Sequence, residues 1–180
     1  TQKRNIDKAA TFVIRALTRP GKVCCYWLGH GMEGDFINRA GGLAAVQRFV
    51  IPPEAKPASG RAKKKPARPD SDLLNIRKAV QSSKLRRGDV VLVGSVSGRN
   101  RAPVELALSC RKRGIRVIAF TALPYTRKVT SLHPSGKRLC DAADVVVDLG
   151  VPYGDAGVNI PGVDHHVLPL SGVATLLSGW

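Results

Sequence analysis

The sequence predicts an α/β fold in which helices cover both faces of a mainly parallel sheet. The stretches at 23–28 and 90–93 are apolar without interruption, as in strands whose two faces are both buried. From 90 to 149, strand patterns alternate with helical patterns, and such alternation implies right-handed crossovers between parallel strands. A length of 180 residues suits one domain, so we expect a single domain over 1–180.

An amphipathic helix and two strands are expected in the first quarter of the chain. Asn5 can cap a helix with apolar residues on one face, and the pattern stops before Pro20. The strand at 23–28 runs into a loop that contains His30, and a second strand is expected over 44–51. This order places His30 beyond the end of a strand, where sheets of this class bind their ligands.

The segment 52–72 is predicted to be a mobile loop. Its part from 52 to 69 has five prolines and six basic residues, and almost no side chain that a core would bury. The loop does not divide the chain into two domains.

The remaining elements form a regular series. They are a helix at 73–83, a strand at 90–95, a helix at 103–113, a strand at 116–121, a helix at 135–143 and a strand at 145–149. Pro103 suits a first helical turn, where its missing N–H costs nothing, and Gly114 suits a C-terminal stop. The loops that follow the strands are expected to converge on one crevice at the carboxyl edge of the sheet.

The basic charge of the chain raises the question of a polyanionic partner. The formal charge is +16, from 29 Lys and Arg against 13 Asp and Glu. However, the aromatic residues number nine and do not interleave with the basic clusters as in proteins that bind single strands. We therefore expect the excess charge to lie on solvated surface, and nucleic acid is a disfavoured partner.

Composition also bears on location and cofactors. No apolar run approaches the roughly 20 residues of a bilayer span, so we expect no membrane contact. The four cysteines lack both CxxC spacing and the density of a disulfide framework, which favours reduced residues in a cytoplasmic protein. His165 and His166 are neighbours without metal-ligand spacing, so no metal and no cofactor is expected. The chain lacks an initial Met and ends just after an apolar stretch at 173–177, so we expect trimming at both ends.

The run SVSGRN at 95–100 has the composition of a phosphate-binding loop. It lies between a predicted strand and a predicted helix, so hydroxyls, backbone N–H groups and a positive helix end would meet at one point. Ser95 and Ser97 would donate to phosphate oxygens. Gly98 permits close approach or a positive φ, and Asn100 either caps the helix or reaches the ligand. The same residue types also fill ordinary strand-to-helix turns.

Several stretches resemble the sugar isomerase (SIS) domain family, most closely its stand-alone bacterial phosphosugar-binding branch. The similarity is densest over 87–154. The matching stretches are RGDV at 87–90, SVSGRN at 95–100, PVELA at 103–107, SGKRL at 135–139, ADVVVD at 143–148, GVPYGDA at 150–156 and, earlier, RAGGL at 39–43. By their order and spacing, the chain is identified as a member of this family.

The resemblance implies a five-stranded, mainly parallel sheet in a three-layer α/β/α sandwich, a homodimer or homotetramer, and binding of a phosphorylated sugar. Ser95, Ser97 and Asn100 match the phosphate-binding loop of the family. Two segments depart from the family pattern. YWLGHGM at 26–32 stands where the family has a glycine-rich loop ending in His-Ser, and the basic segment at 52–69 stands where an apolar helical region is expected.

Aldose–ketose isomerisation moves a proton between adjacent carbons through an enediol and needs an acid or base. His133, which matches a histidine usual in this branch, is the first candidate, with a loop histidine bonded to backbone as the alternative. His30 is the second candidate. Glu105 is the carboxylate candidate, although complementing its helix dipole explains it too. Thr121, at the end of a strand, and Asp155, which can bond sugar hydroxyls or tie its own turn, complete the expected binding residues.

Together these features predict a phosphosugar-binding protein, with a sugar-phosphate isomerase or a related sugar-phosphate enzyme as the leading function. The first alternative is a non-catalytic module that senses a phosphosugar. The second is a polyanion or nucleic-acid tether formed by the basic residues of 56–68. Substrate turnover separates the enzyme from the sensor.

Overall fold

The computed structural model describes residues 2–26, 37, 44–52 and 70–179. The predictions for His30 and for 53–69 of the basic loop lie outside these residues. The elements in chain order are α1 (Gln2–Leu17), β1 (Val23–Tyr26), β2 (Val46–Arg48), α2 (Ser71–Ser82), β3 (Val90–Gly94), α3 (Arg101–Lys112), β4 (Arg116–Thr121), α4 (Leu123–Thr126), α5 (Leu139–Ala142), β5 (Val145–Asp148), β6 (Ala156–Val158), β7 (Val167–Pro169) and α6 (Ser171–Gly179).

Five of the strands form one parallel sheet in the order β2-β1-β3-β4-β5. Val23 of β1 is in register with Val46 on one side and with Val90 on the other. The predicted α/β class and the parallel sheet are therefore confirmed. Since all five strands run the same way, their carboxyl ends lie at one edge of the sheet and their amino ends at the opposite edge.

Helices cover both faces of this sheet because successive residues of its strands point to opposite sides. In β3, Val91 and Val93 belong to the core cluster that also contains residues of α2, α3 and α5. Val90 and Leu92 belong to the other cluster, which contains residues of α1. The uninterrupted apolar run therefore marks a strand that is buried on both faces.

Several predicted boundaries were wrong. The helix α2 begins at Ser71, inside the loop predicted for 52–72, and the strand predicted over 44–51 is limited to Val46–Arg48. The helix predicted over 135–143 is limited to α5. The reason lies in the side chains of 131–135: the Ser131 hydroxyl accepts from the His133 N–H at 3.0 Å, and the His133 ring accepts from the Ser135 N–H at 3.1 Å. Such local bonds hold the chain in turns instead of a helix.

A small antiparallel pair, β6 and β7, follows the main sheet and was not predicted. Its connection is long for a hairpin, and we call residues 156–169 the β6–β7 hairpin. None of the helices in the described part of the chain has the length and hydropathy that crossing a bilayer requires.

Candidate functional site

The predicted phosphate loop follows the carboxyl end of the central strand β3. The Ser95 N–H donates to the Phe120 carbonyl at 3.0 Å, so the loop begins while the chain is still paired with β4. Ser95 is buried, with 5% of its surface exposed. Its hydroxyl has no hydrogen-bond partner among the residues that the structure describes. A buried hydroxyl without a partner is costly, so this side chain is a candidate for binding a further group.

Gly98 gives the loop its shape. Its φ is +64°, and a Cβ at this position would lie 2.9 Å from Thr121 Oγ1 and 3.1 Å from Thr126 Oγ1. Both threonines support the loop from below: Thr121 Oγ1 donates to the Val96 carbonyl at 3.2 Å, and Thr126 Oγ1 donates to the Ser97 carbonyl at 3.0 Å. Thr121, a predicted binding residue, is fully buried in this support and does not line the cavity described next.

A cavity of about 670 Å³ opens between this loop and the β6–β7 hairpin. Ser95, Val96, Ser97 and Asn100 line it on the loop side, and the opposite wall consists of Tyr125, Gly154, Asp155, Ala156, His165, His166, Val167, Leu168 and Pro169. Its volume lies within the range of cavities that hold small molecules.

The amino end of α3 also faces this loop. Asn100 occupies the N-cap position with extended backbone (φ −68°, ψ 142°), but its side chain makes no capping hydrogen bond. The first N–H groups of α3 therefore lack a side-chain cap, and the positive end of the helix dipole favours an anion here. Arg99 Nε is also buried without a partner among the described residues.

Asp155 lines the cavity but is occupied by a structural task. Its backbone has a positive φ of 63°. Its carboxylate accepts from the Ser171 N–H at 2.9 Å and from the Ser171 hydroxyl at 2.6 Å, and so fixes the start of α6. These bonds run to Ser171, 16 positions along the chain, and so differ from the tie to its own turn that the sequence suggested.

Glu105 and His133, two of the predicted catalytic residues, contact each other in a buried network. Glu105 Oε2 lies 3.0 Å from His133 Nε2. The Arg77 guanidinium donates two hydrogen bonds of 2.9 Å to the two oxygens of Glu105, and the Ser109 hydroxyl donates a third of 2.9 Å. Neither Glu105 nor His133 lines the cavity. The structure therefore brings these two residues together, but not into contact with that cavity.

Hydrogen bonding fixes the protonation of this network. The Ser135 N–H can only donate, so His133 Nδ1 is the acceptor and the proton of the neutral ring is on Nε2, which donates to Glu105. Burial raises the pKa of Glu105, but hydrogen bonds from Arg77, His133 and Ser109 outweigh it and lower the pKa to about 2. Glu105 is therefore a stable carboxylate rather than an effective base at neutral pH.

Sequence reasoning did not place His165 and His166 in the wall of this cavity. It considered the pair only as metal ligands, because nothing in the local pattern indicated that the hairpin folds back over the phosphate loop. Both side chains are exposed and line the cavity. In the described part of the chain, no three His, Cys, Asp or Glu side chains are grouped closely enough to hold a metal ion.

Known proteins resemble this chain in sequence. Residues 1–122 match the family model of the SIS domain. The chain is 38% identical over 167 residues to a UPF0309 protein from Halalkalibacterium halodurans, which covers 89% of this chain and 66% of the relative. It is 34% identical over 178 residues to a UPF0309 protein from Caldanaerobacter subterraneus subsp. tengcongensis, which covers 96% of this chain and 71% of the relative. The chain thus spans about two thirds of the length of these curated relatives.

A solved structure shares the fold. Phosphoheptose isomerase GmhA from Neisseria gonorrhoeae superposes with a TM-score of 0.54 over 98% of this chain and 82% of that chain, at 15% sequence identity. At this identity the likeness is evidence of a common fold.

Proposed function

The chain belongs to the SIS-domain family, and from this premise we propose that it binds a phosphorylated sugar in the cavity between the 95–100 loop and the β6–β7 hairpin. One observation carries the proposal. The Ser95 hydroxyl is buried, lines the cavity and has no partner among the described residues. A phosphate oxygen is the acceptor that such a hydroxyl would meet in a loop that leads into a helix.

The loop offers several kinds of phosphate donor at one point. The Ser95 and Ser97 hydroxyls and the Asn100 amide come from side chains, and the uncapped first turn of α3 adds backbone N–H groups. The dipole of α3 favours a negative charge at the same place. The sugar would then extend toward the hairpin, where His165 and His166 lie.

The reaction that we propose is aldose–ketose isomerisation. It is supported by the name of the structural neighbour, a phosphoheptose isomerase, and by two histidines in the cavity wall. Histidine is the side chain most often used to transfer protons in catalysis. We assign acid-base work to His165 or His166. We also propose assembly into two or four copies and a cytoplasmic location, which the family resemblance supports.

For Glu105 and His133 we propose a positioning role. The segment that carries His133 is bonded to the phosphate loop on both sides: the Leu132 N–H donates to the Arg99 carbonyl at 2.9 Å, and the Leu139 N–H donates to the Gly98 carbonyl at 2.8 Å. The bond from His133 to Glu105 fixes this segment on α3. The network therefore acts on the site through the shape of the loop.

A non-catalytic phosphosugar sensor is the second candidate function. It is favoured by the engagement of Glu105 in three side-chain contacts and by its low pKa, because both leave it unsuited to proton transfer. The sensor and the isomerase share the same binding site and differ only in turnover.

The first experiment is thermal unfolding of the protein with a panel of hexose, amino-sugar and heptose phosphates. A ligand that binds only the folded state raises the midpoint. We expect one phosphorylated sugar to raise it, the unphosphorylated sugar not to, and Ser95→Ala and Ser97→Ala to reduce the shift. Ser82→Ala, which changes a hydroxyl outside the cavity wall, is the matched control. A panel without any shift, or a shift unchanged in both loop variants, would contradict the proposal.

For a sugar phosphate that binds, nuclear magnetic resonance then follows conversion between the aldose and ketose forms. Conversion at a rate proportional to the enzyme concentration indicates an isomerase. Binding without conversion indicates the sensor.

A further inference from the structure

A concentration of positive charge lies at the amino edge of the sheet, whereas the phosphate loop at 95–100, which we call the serine loop, lies at the carboxyl edge. Two adjoining cavities there, of about 610 and 410 Å³, share Pro20, Arg86 and Asp89 in their walls. Eight cationic side chains line them. Arg113 and Arg116 are bonded within the chain, and we call the other six the basic cleft: Arg15, Arg19, Lys22, Lys84, Arg86 and Arg87. The cleft forms because the segments that lead into β1 and β3 start from the same edge of a parallel sheet.

The six cations of the basic cleft have no neutralising partner among the described residues. None of their side chains forms an ion pair or a hydrogen bond there. By contrast, Arg116 in the same wall pairs with Asp144 at 3.2 Å, and Arg113 donates to backbone carbonyls, including that of Leu85 at 2.8 Å. The six cations of the basic cleft therefore differ from the neighbouring Arg113 and Arg116 in that they lack a bonded partner among the described residues.

Asp89 is the sole carboxylate in the two cavity walls as described, and its oxygens are already bonded. Asp89 Oδ1 accepts from the Lys22 N–H at 2.9 Å, and Oδ2 accepts from the Arg86 N–H at 2.7 Å. Asp89 thus fastens the two segments that carry the cations, while its single charge leaves most of theirs uncompensated. The like charges around these two adjoining cavities repel one another, and an anion with several charges would relieve that repulsion.

We propose that the basic cleft binds a small molecule that carries two or more phosphate groups. Guanidinium groups match phosphate oxygens with paired hydrogen bonds, and four of the six cations are arginines. Cations line both cavities, so one phosphate would meet only part of the set. The combined cavities have the dimensions of a small-molecule site.

The shape and composition of the cleft disfavour a nucleic acid. Phe12 is the sole aromatic side chain among the described lining residues, and its ring is covered by the Arg116 guanidinium at 5.2 Å from the centroid. Bases would therefore find no free ring on which to stack.

The cleft is separate from the sugar-phosphate site. β3 has five residues and spans about 16 Å, with Asp89 before its first residue and Ser95 after its last. A ligand in the basic cleft therefore does not compete for the serine loop, and the inference stands whether or not the proposed function is correct.

Titration calorimetry of the protein with inorganic tripolyphosphate tests the proposal. The test variant is Arg19→Gln, Arg86→Gln and Arg87→Gln together, in which glutamine keeps part of each stem and removes three charges. The control variant is Arg4→Gln, Lys78→Gln and Arg127→Gln together, which removes three exposed cations outside the cleft. Both variants have the same net charge, so a general field effect acts on them equally. Ser97→Ala tests whether tripolyphosphate binds at the serine loop instead of the basic cleft.

We expect the protein to bind tripolyphosphate with a dissociation constant that rises with salt, and the test variant to weaken binding about tenfold or more. The control variant and Ser97→Ala should bind as the unchanged protein does. The proposal is overturned if the protein does not bind tripolyphosphate, if the control variant loses as much affinity as the test variant, or if Ser97→Ala alone abolishes binding. A competition experiment at 150 mM salt then compares ATP, as a small polyphosphate, with a twelve-nucleotide oligothymidylate. The proposal is also overturned if the oligothymidylate displaces tripolyphosphate at a lower concentration than ATP does.

Discussion

Glu105 Oε2 and His133 Nε2 lie 3.0 Å apart, and both side chains are almost fully buried. The pair joins α3 to the segment that follows α4, across 28 positions of the chain. Arg77 of α2 completes the contact from the third side with a two-pronged ion pair. Three parts of the chain therefore meet at one carboxylate, which belongs to the helix whose amino end faces the phosphate loop.

Replacing Glu105 should destabilise the fold. Glu105→Gln removes the negative charge that Arg77 and His133 share, and leaves donors facing donors in a buried place. We expect a loss of about 2 kcal/mol in the free energy of unfolding, measured with urea. Asp72→Asn, which breaks the exposed pair with Arg101 at 3.0 Å, is the control and should cost less than about 1 kcal/mol. Equal losses in the two variants would contradict a special role for the buried carboxylate.

The same carboxylate makes stability depend on acid pH. The folded pKa of Glu105 is about 2, against an ordinary value of 4.5, so the unfolded chain binds a proton at higher pH than the folded chain does. Its contribution is therefore complete above pH 4.5 and is lost as the pH falls from 4.5 toward 2. We expect urea midpoints to fall more steeply over this interval for the unchanged protein than for Glu105→Gln. Parallel curves would show that Glu105 does not titrate in this way.

The main sheet could be predicted from the sequence because a strand that is buried on both faces consists of apolar residues without interruption. Val90, Val91, Leu92 and Val93 each face one of the two cores, so an uninterrupted apolar run was a sufficient signal. The loop that follows them was predicted for a similar reason, since Ser95 and Gly98 combine a hydroxyl and a permissive backbone at a strand end.

The parts that the sequence did not predict depend on contacts between distant residues. The engagement of Glu105 by His133 and Arg77 joins positions 28 apart in both directions along the chain, and no local pattern encodes it. The β6–β7 hairpin consists of three-residue strands without clear alternation, so no periodic signal predicted its return over the loop, which places His166 and Ser95 in the wall of one cavity.

Gly98 should be essential to the shape of the loop. In Gly98→Ala the new Cβ would lie 2.9 Å from Thr121 Oγ1 at a φ of +64°, so strain and a clash act together. Gly136→Ala is the matched control, because Gly136 has a φ of +71° and nothing within 4 Å of the added carbon. We expect Gly98→Ala to lower the free energy of unfolding by about 1–3 kcal/mol more than the control does and to abolish the sugar-phosphate shift. If a sugar phosphate still raises the unfolding midpoint of Gly98→Ala, the shape of the loop is not required for binding.

The cavity histidines should affect turnover and leave binding of phosphate largely intact. His165 and His166 are exposed, so His165→Asn and His166→Asn should keep the unfolding midpoint of the ligand-free protein. If the protein is an isomerase, one of these two substitutions should lower kcat about 100-fold or more. The sugar phosphate should still raise the unfolding midpoint of both variants, because it binds through the serine loop. Asp164→Asn, which alters an exposed neighbour outside the cavity wall, is the control and should retain full turnover. If both histidine variants turn over substrate at the normal rate, the acid-base group lies elsewhere and the assignment of this wall to catalysis is wrong.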